Sequence, residues 1–245
     1  MSESLIDFHH VSKIYDEGST VRALDEVTFS MNKGDFHFIL GPSGAGKTTL
    51  MRLIYRDIRP TRGQILVNRR NVANLSEKEI PDLRRRIGVV FQDFKLLTDR
   101  SVFDNVAISL LVRGEDKYEI NRRVMRALDQ VELTDKRDMN PRQLAGGEAQ
   151  RVSLGRALVK EPEILLADEP TGNLDPDLAD RLTKLLEEIN RRGTTLLVAT
   201  HDYRIVEKSN QPCIVLKDGR LVEGPTRNPE HLRPYANSSS GELKG

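Results

Sequence analysis

Gly41-Pro42-Ser43-Gly44-Ala45-Gly46-Lys47-Thr48, running on into Thr49, is the stretch that decides how this chain is read. It fits G-x-x-x-x-G-K-[ST] in full. The apolar run Phe36-His37-Phe38-Ile39-Leu40 precedes it, and a helical pattern from Thr48 to Tyr55 follows. Glycines at these places let successive backbone N–H groups curl around an anion, and the next helix turns its positive end to the same point. Lys47 is a point charge able to reach the outer phosphates of a nucleotide. The Thr48 hydroxyl is placed to ligate Mg2+. Residues 41–49 are therefore expected to hold nucleotide phosphates.

A metal-bound phosphate calls for an acid nearby. Glu163-Ile164-Leu165-Leu166-Ala167-Asp168-Glu169 is an apolar strand that ends in two carboxylates. The first, Asp168, is expected to help hold Mg2+, and Glu169 to polarise an attacking water. Other runs of strand length are Ile65-Leu66-Val67, Ile87 to Phe91, Thr195 to Ala199 and Ile214-Val215-Leu216. Such runs alternating with helical patterns predict an α/β fold whose mostly parallel sheet is covered on both faces. The first thirty residues alternate like strands, with a turn at Asp16-Glu17-Gly18-Ser19. From about Asp93 to Gly155 the strand-like runs stop. There Ile120, Val124, Leu128 and Val131 fall on one helix face, which reads as a core stripe.

Composition removes several classes of function. The chain has 245 residues, with 38 Lys+Arg against 37 Asp+Glu and a formal charge of +1. That balance argues against a nucleic-acid binder, and the Arg84-Arg85-Arg86 run reads as a solvated helix face. No apolar run approaches the roughly 18 residues that cross a bilayer. The N-terminus has neither a basic start nor a long apolar stretch, so a cytoplasmic location is expected. The single cysteine, Cys213, excludes an internal disulfide and reads as a small buried hydrophobe.

Leu144-Ala145-Gly146-Gly147-Glu148-Ala149-Gln150-Arg151-Val152 resembles the signature of ABC-type ATPases, which runs Leu-Ser-Gly-Gly-Gln. Gln92 looks like the family's Q-loop glutamine, Asn173-Leu174-Asp175 like its D-loop, and His201 like its switch histidine. Tyr15 stands where the family stacks an aromatic on adenine. Asp175, before Pro176, also suits a helix N-cap. The resemblance implies a P-loop core with a mixed, mostly parallel sheet, an N-terminal antiparallel β subdomain and an inserted helical subdomain. The core would take residues 1–92 and 156–225, the helical subdomain 93–155, and a flexible tail 226–245.

It also implies an ATPase that works as a homodimer. Each ATP would lie between Tyr15 and residues 41–49 of one copy and Ala145, Gly146, Gly147 and Glu148 of the other, with Asp175 close by. Glu169 would activate water and His201 would contact the γ-phosphate, while Gln92 would sense water and Mg2+. Thr48, Gln92 and Asp168 would hold the metal. Ala145 departs from the family's serine, which puts one hydrogen bond to the γ-phosphate in doubt.

Ala167 to Asp175 resembles the branch serving lipoprotein release, macrolide export and cell division. Phe91 to Ala107, with Arg59 to Gly63 and Pro81 to Gly88, looks most like its cell-division members. That implies an integral membrane partner docking near Phe94, Leu96 and Leu97, unless those three belong to the core. An exporter motor, or a soluble ATPase acting on DNA or ribosomes, are the competing roles.

Overall fold

The computed structural model describes residues 4–16 and 18–227. The expected tail beyond Arg227 lies outside the described residues. Thr226, where the tail was expected to begin, instead closes a strand.

The chain opens with a long hairpin, β1 (Ser4–Asp16) and β2 (Thr20–Asn32). β3 (Phe36–Leu40), the phosphate loop and α1 (Lys47–Ile54) follow, then β4 (Arg62–Val67), the two-residue β5 (Arg70–Asn71) and α2 (Ile80–Arg85). After β6 (Ile87–Val90) comes the helical block: α3 (Val102–Val112), α4 (Lys117–Gln130) and α5 (Gly146–Leu158). The chain then alternates β7 (Ile164–Asp168), α6 (Pro176–Arg191), β8 (Thr195–Thr200), α7 (Tyr203–Ser209), β9 (Cys213–Lys217) and β10 (Arg220–Thr226).

Two sheets result. The larger has the order β10-β9-β3-β8-β7-β6, parallel except for β10 at its edge. β3, β7 and β8 are apolar on both faces because helices and the second sheet cover them, and every residue of β3 and β8 is buried. The smaller sheet is antiparallel, β2-β1-β4-β5. Ile65-Leu66-Val67, expected among the parallel strands, lies in this antiparallel sheet: Ile65 pairs with Phe8 and Val67 with Ile6. Its apolar run is the same length as a parallel strand's, so only the partner distinguishes them. Phe8 and Phe29 stack across this sheet with ring centroids 4.7 Å apart.

The helical block packs through the expected stripe, since Ile120, Val124, Leu128 and Val131 are all buried. α5 crosses the expected 155/156 boundary without a break and ends at Leu158. Cys213 is buried in β9, where loss of water pushes its thiol up to about 12. No helix among the described residues is long and apolar enough to cross a membrane.

Candidate nucleotide site

Four neighbouring parallel strands deliver the site. Leu40, the end of β3, stands opposite Thr200 of β8; Asp168, the end of β7, stands opposite Ala199; Val90, the end of β6, stands opposite Ala167. The phosphate loop, His201, Asp168-Glu169 and Gln92 therefore all leave from carboxyl ends on one edge, where open α/β sheets hold ligands. They border a cavity of about 440 Å³ lined by Ser43 to Thr49, Gln92, Asp168, Glu169 and His201, with Val21, Arg22 and Ala23 of β2 on one wall.

The loop's glycines answer to close approach. A side chain on Gly46, which has φ 103°, would stand 2.4 Å from the Ala23 carbonyl oxygen, and one on Gly41 would stand 2.2 Å from that of Leu216. Lys47 is buried, and its Nζ donates to the carbonyls of Gly41 at 2.7 Å and Pro42 at 3.1 Å. It also pairs with Glu169 Oε1 at 3.2 Å. The other carboxylate oxygen, Oε2, meets His201 Nδ1 at 2.8 Å. Glu169 is thus gripped from both sides, on a backbone held at φ 47°, in the left-handed region that a glutamate rarely adopts.

Asp168 is divided between two tasks. Its Oδ2 accepts from the Thr48 hydroxyl at 2.7 Å, while its Oδ1 is buried without a hydrogen-bond partner. Burial raises its carboxyl above the usual range, the Thr48 hydrogen bond opposes that, and the neighbouring Glu169 charge adds to it. An orphaned carboxylate oxygen beside a hydroxyl is a hard-oxygen donor set. Among the described residues no group of three or more His, Cys, Asp or Glu side chains is arranged to hold a metal ion by itself. Such a site suits Mg2+, which takes one or two protein oxygens and fills its octahedron from phosphate and water.

The structure separates other expected site residues from this cavity. Ala145, Gly146, Gly147, Glu148 and Asp175 do not line it. Ala145 is the N-cap of α5 and has no oxygen to offer. Only the return half of a capping box is present: Glu148 Oε2 accepts from the Ala145 N–H at 3.1 Å. Lys136 holds Glu148 from the far side and, with the Ala145 N–H, keeps its carboxyl below the usual range. Asp175 caps α6, accepting from the Leu178 N–H at 3.0 Å. Tyr15 lies outside the lining too; it is half-buried, opposite Val21 in the hairpin, with the Lys13 ammonium 4.9 Å from its ring centre. Val21 to Ala23 carry no motif, and only their place across the turn from Tyr15 could have marked them. The docking trio divides: Leu96 packs on the core, Phe94 is half-buried, and Leu97 is 40% exposed.

A strand-loop-helix phosphate cradle beside an acidic strand end, with a glycine-opened helix displayed elsewhere on an inserted helical block, defines an ATP-binding cassette. The chain belongs to the ABC transporter family, whose pattern matches residues 24–172, and it is an ABC-type ATPase. It is 48% identical over 223 residues to the cell division ATP-binding protein FtsE of Bacillus subtilis, covering 91% of this chain and 97% of that one. The protein of the same name from Escherichia coli K12 is 48% identical over 220 residues, covering 90% and 98%. A solved dimeric ATP-binding cassette, in a post-hydrolysis state with ADP and Pi, superposes with a TM-score of 0.81 at 33% identity, covering 89% of this chain and 97% of that one.

Proposed function

We propose that this chain is the ATP-hydrolysing subunit of an FtsEX-like complex in bacterial cell division. Two copies close head to tail on two ATP molecules beneath an FtsX-like integral membrane protein, and closure is passed through that partner to cell-wall hydrolases and the division machinery. The observation that carries this reading is the split site: one chain holds a complete phosphate and acid-base half but displays its signature away from it. A side chain on Gly146 would meet nothing of its own chain within 4 Å, so its own packing does not require a glycine there. A close-approaching phosphate of the opposite copy supplies a reason. The dimeric relative with ADP and Pi supports the assembly, and the relatives named for cell division support the setting.

In this reading ATP draws Lys47 from the Gly41 and Pro42 carbonyls onto its outer phosphates. Loop amides and the start of α1 hold the rest of the phosphate charge. Thr48, Asp168 and Gln92 would hold Mg2+, which neutralises charge on the phosphate oxygens when bound. Glu169, freed of Lys47, accepts a hydrogen bond from the attacking water. The water oxygen bonds to the γ-phosphorus as the bond to the bridging oxygen breaks, and the proton leaves through Glu169. His201 keeps Glu169 oriented and reaches the γ-phosphate. Gln92 positions the water, Tyr15 stacks on adenine once the hairpin closes on it, and Asp175 faces the opposite copy. Membrane contact on the inner face comes only through the partner; no nucleic acid takes part.

Leu97→Glu tests the docking half, because Leu97 is the exposed member of its trio. The variant should bind and hydrolyse ATP alone, yet fail to co-purify with the membrane protein and fail to support division. Normal division together with lost export of a small molecule or lipoprotein would favour an exporter motor instead.

A further inference from the structure

Arg156 lies on α5, ten residues beyond Gly146, the first residue of the helix. Its guanidinium is half-buried and has no carboxylate within ion-pair distance among the described residues. It donates instead to two backbone carbonyls, Nη2 to Phe94 and Nη1 to Lys95, both at 2.6 Å. Those two residues follow Gln92 directly after Asp93. Both sit in the left-handed region, with φ 54° and 49°, and neither is glycine. Consecutive left-handed residues persist only where the surroundings over-determine them. Here the planar fork of an arginine spans both carbonyls, which a point-charge ammonium cannot do.

The same loop is tied to the helical block again further on. Asn105 of α3, fully buried, accepts from the Leu97 N–H at 2.7 Å and donates to the carbonyls of Leu97 and Ser101, each at 2.9 Å. Asn140 donates to the Thr98 carbonyl at 3.0 Å. The loop therefore belongs mechanically to α3 and α5, whereas Gln92 is the second residue beyond the core strand β6. Besides the direct packing of α5 on β6, Arg156 links α5 to the backbone just beyond Gln92.

We propose that Arg156 is a positioning residue for ATP hydrolysis: from the helix that opens with the signature glycines, it fixes the backbone behind Gln92 and so sets where the Gln92 amide stands in the phosphate cavity. The inference rests on the role given to Gln92 above. Lys160 provides a matched control. It too is a half-buried cation, just past the end of the same helix, donating to two carbonyls, Arg84 of α2 at 2.9 Å and Ile87 of β6 at 2.6 Å, on either side of the turn that joins them. A merely structural need for a buried cation would make the two residues behave alike.

The test compares Arg156→Gln, Arg156→Lys, Lys160→Gln, Gln92→Ala and the double variant Arg156→Gln/Gln92→Ala in the full chain, reading kcat, ATP affinity and Tm. Arg156→Gln should lower kcat by about tenfold to a hundredfold, the scale of a misplaced reacting group, with ATP affinity unchanged. Arg156→Lys should recover part of that loss. Lys160→Gln should lower Tm as much as Arg156→Gln yet keep kcat. The double variant should be no slower than Gln92→Ala alone, as expected of two residues acting through one. If the two losses multiply, or if Lys160→Gln slows turnover equally, Arg156 does not act through Gln92 and the inference falls. If Gln92→Ala itself turns over normally, the role of Gln92 falls and takes this inference with it. Should Arg156→Gln not fold, Arg156→Lys decides alone: reduced kcat with intact ATP binding supports the inference, and unchanged kcat overturns it.

Discussion

The phosphate loop and the signature stretch are supported in opposite ways. Around the loop nearly every group is accounted for inside the chain: Lys47 is tied to Gly41, Pro42 and Glu169, and Gly41 and Gly46 press on the Leu216 and Ala23 carbonyls. At the signature, Ala145 and Gly146 are exposed, the N-cap oxygen is missing, and Gly146 faces open space. Only Gly147 has a neighbour close by, with Leu178 of α6 3.1 Å from where its side chain would begin. The contrast teaches how to read glycine and small residues in a site. Gly41 and Gly46 answer to contacts already present and Gly44 to its backbone at φ 78°, whereas nothing in the chain itself calls for a glycine at Gly146, where the proposed function brings a contact from outside.

Changes in the self-contained half should act on a single copy. Glu169→Gln keeps the shape but removes the base, so turnover should fall by about 10²- to 10⁴-fold while ATP still binds. Turnover at the wild-type rate would remove Glu169 from its role and leave the half-site without a base.

Asp168→Asn sharpens the same half by separating stability from function. Burial raises the Asp168 carboxyl, so the folded chain holds this proton at a higher pH than the unfolded chain does. The cost of the buried charge is therefore full at neutral pH, shrinks as pH falls through the raised value, and vanishes below the ordinary carboxylate value of about 3.9. In the absence of nucleotide the amide should raise Tm at neutral pH, and the gain should fade as the pH falls toward the ordinary carboxylate range. ATP hydrolysis should be lost in the same variant. A lowered Tm at neutral pH would mean that the orphaned Oδ1 carries no strain.

The smallest effect belongs to the displayed half. Ala145→Ser restores an N-cap oxygen, worth about 0.5–2 kcal/mol to α5. It should strengthen ATP-dependent dimerisation by about tenfold, the worth of one charge-assisted hydrogen bond, and leave ATP binding to the single copy as it was. Sedimentation with and without ATP reads both quantities. Unchanged dimerisation would mean that backbone amides and the α5 dipole suffice at this position.

How much of this was legible beforehand follows from where each contact partner lies in the chain. The phosphate loop, the apolar strand ending in Asp168-Glu169 and the buried stripe on α4 are local patterns, and each appears where its residues predict. Ile65-Leu66-Val67 does not, because its sheet is chosen by β1, far away in sequence. The pull of Lys47 and His201 on Glu169 needs three strand ends brought side by side, which motif order suggests but cannot measure. Arg156 and Asn105 had no signal of their own, since their partners are backbone carbonyls and amides that any sequence would provide.

The most direct test of the split site mixes two inactive chains. Lys47→Ala destroys the phosphate half and keeps the signature; Gly146→Glu blocks the signature and, having open space around it, leaves its own chain undisturbed. In a mixed dimer, the intact phosphate loop of the second chain faces the intact signature of the first. The measurement is ATPase activity on mixing two separately silent proteins. Recovery of turnover, rising with the fraction of mixed dimers, is the predicted result. If every mixture stays silent while mixed dimers demonstrably form, or if Gly146→Glu hydrolyses ATP normally by itself, the site is not shared between copies.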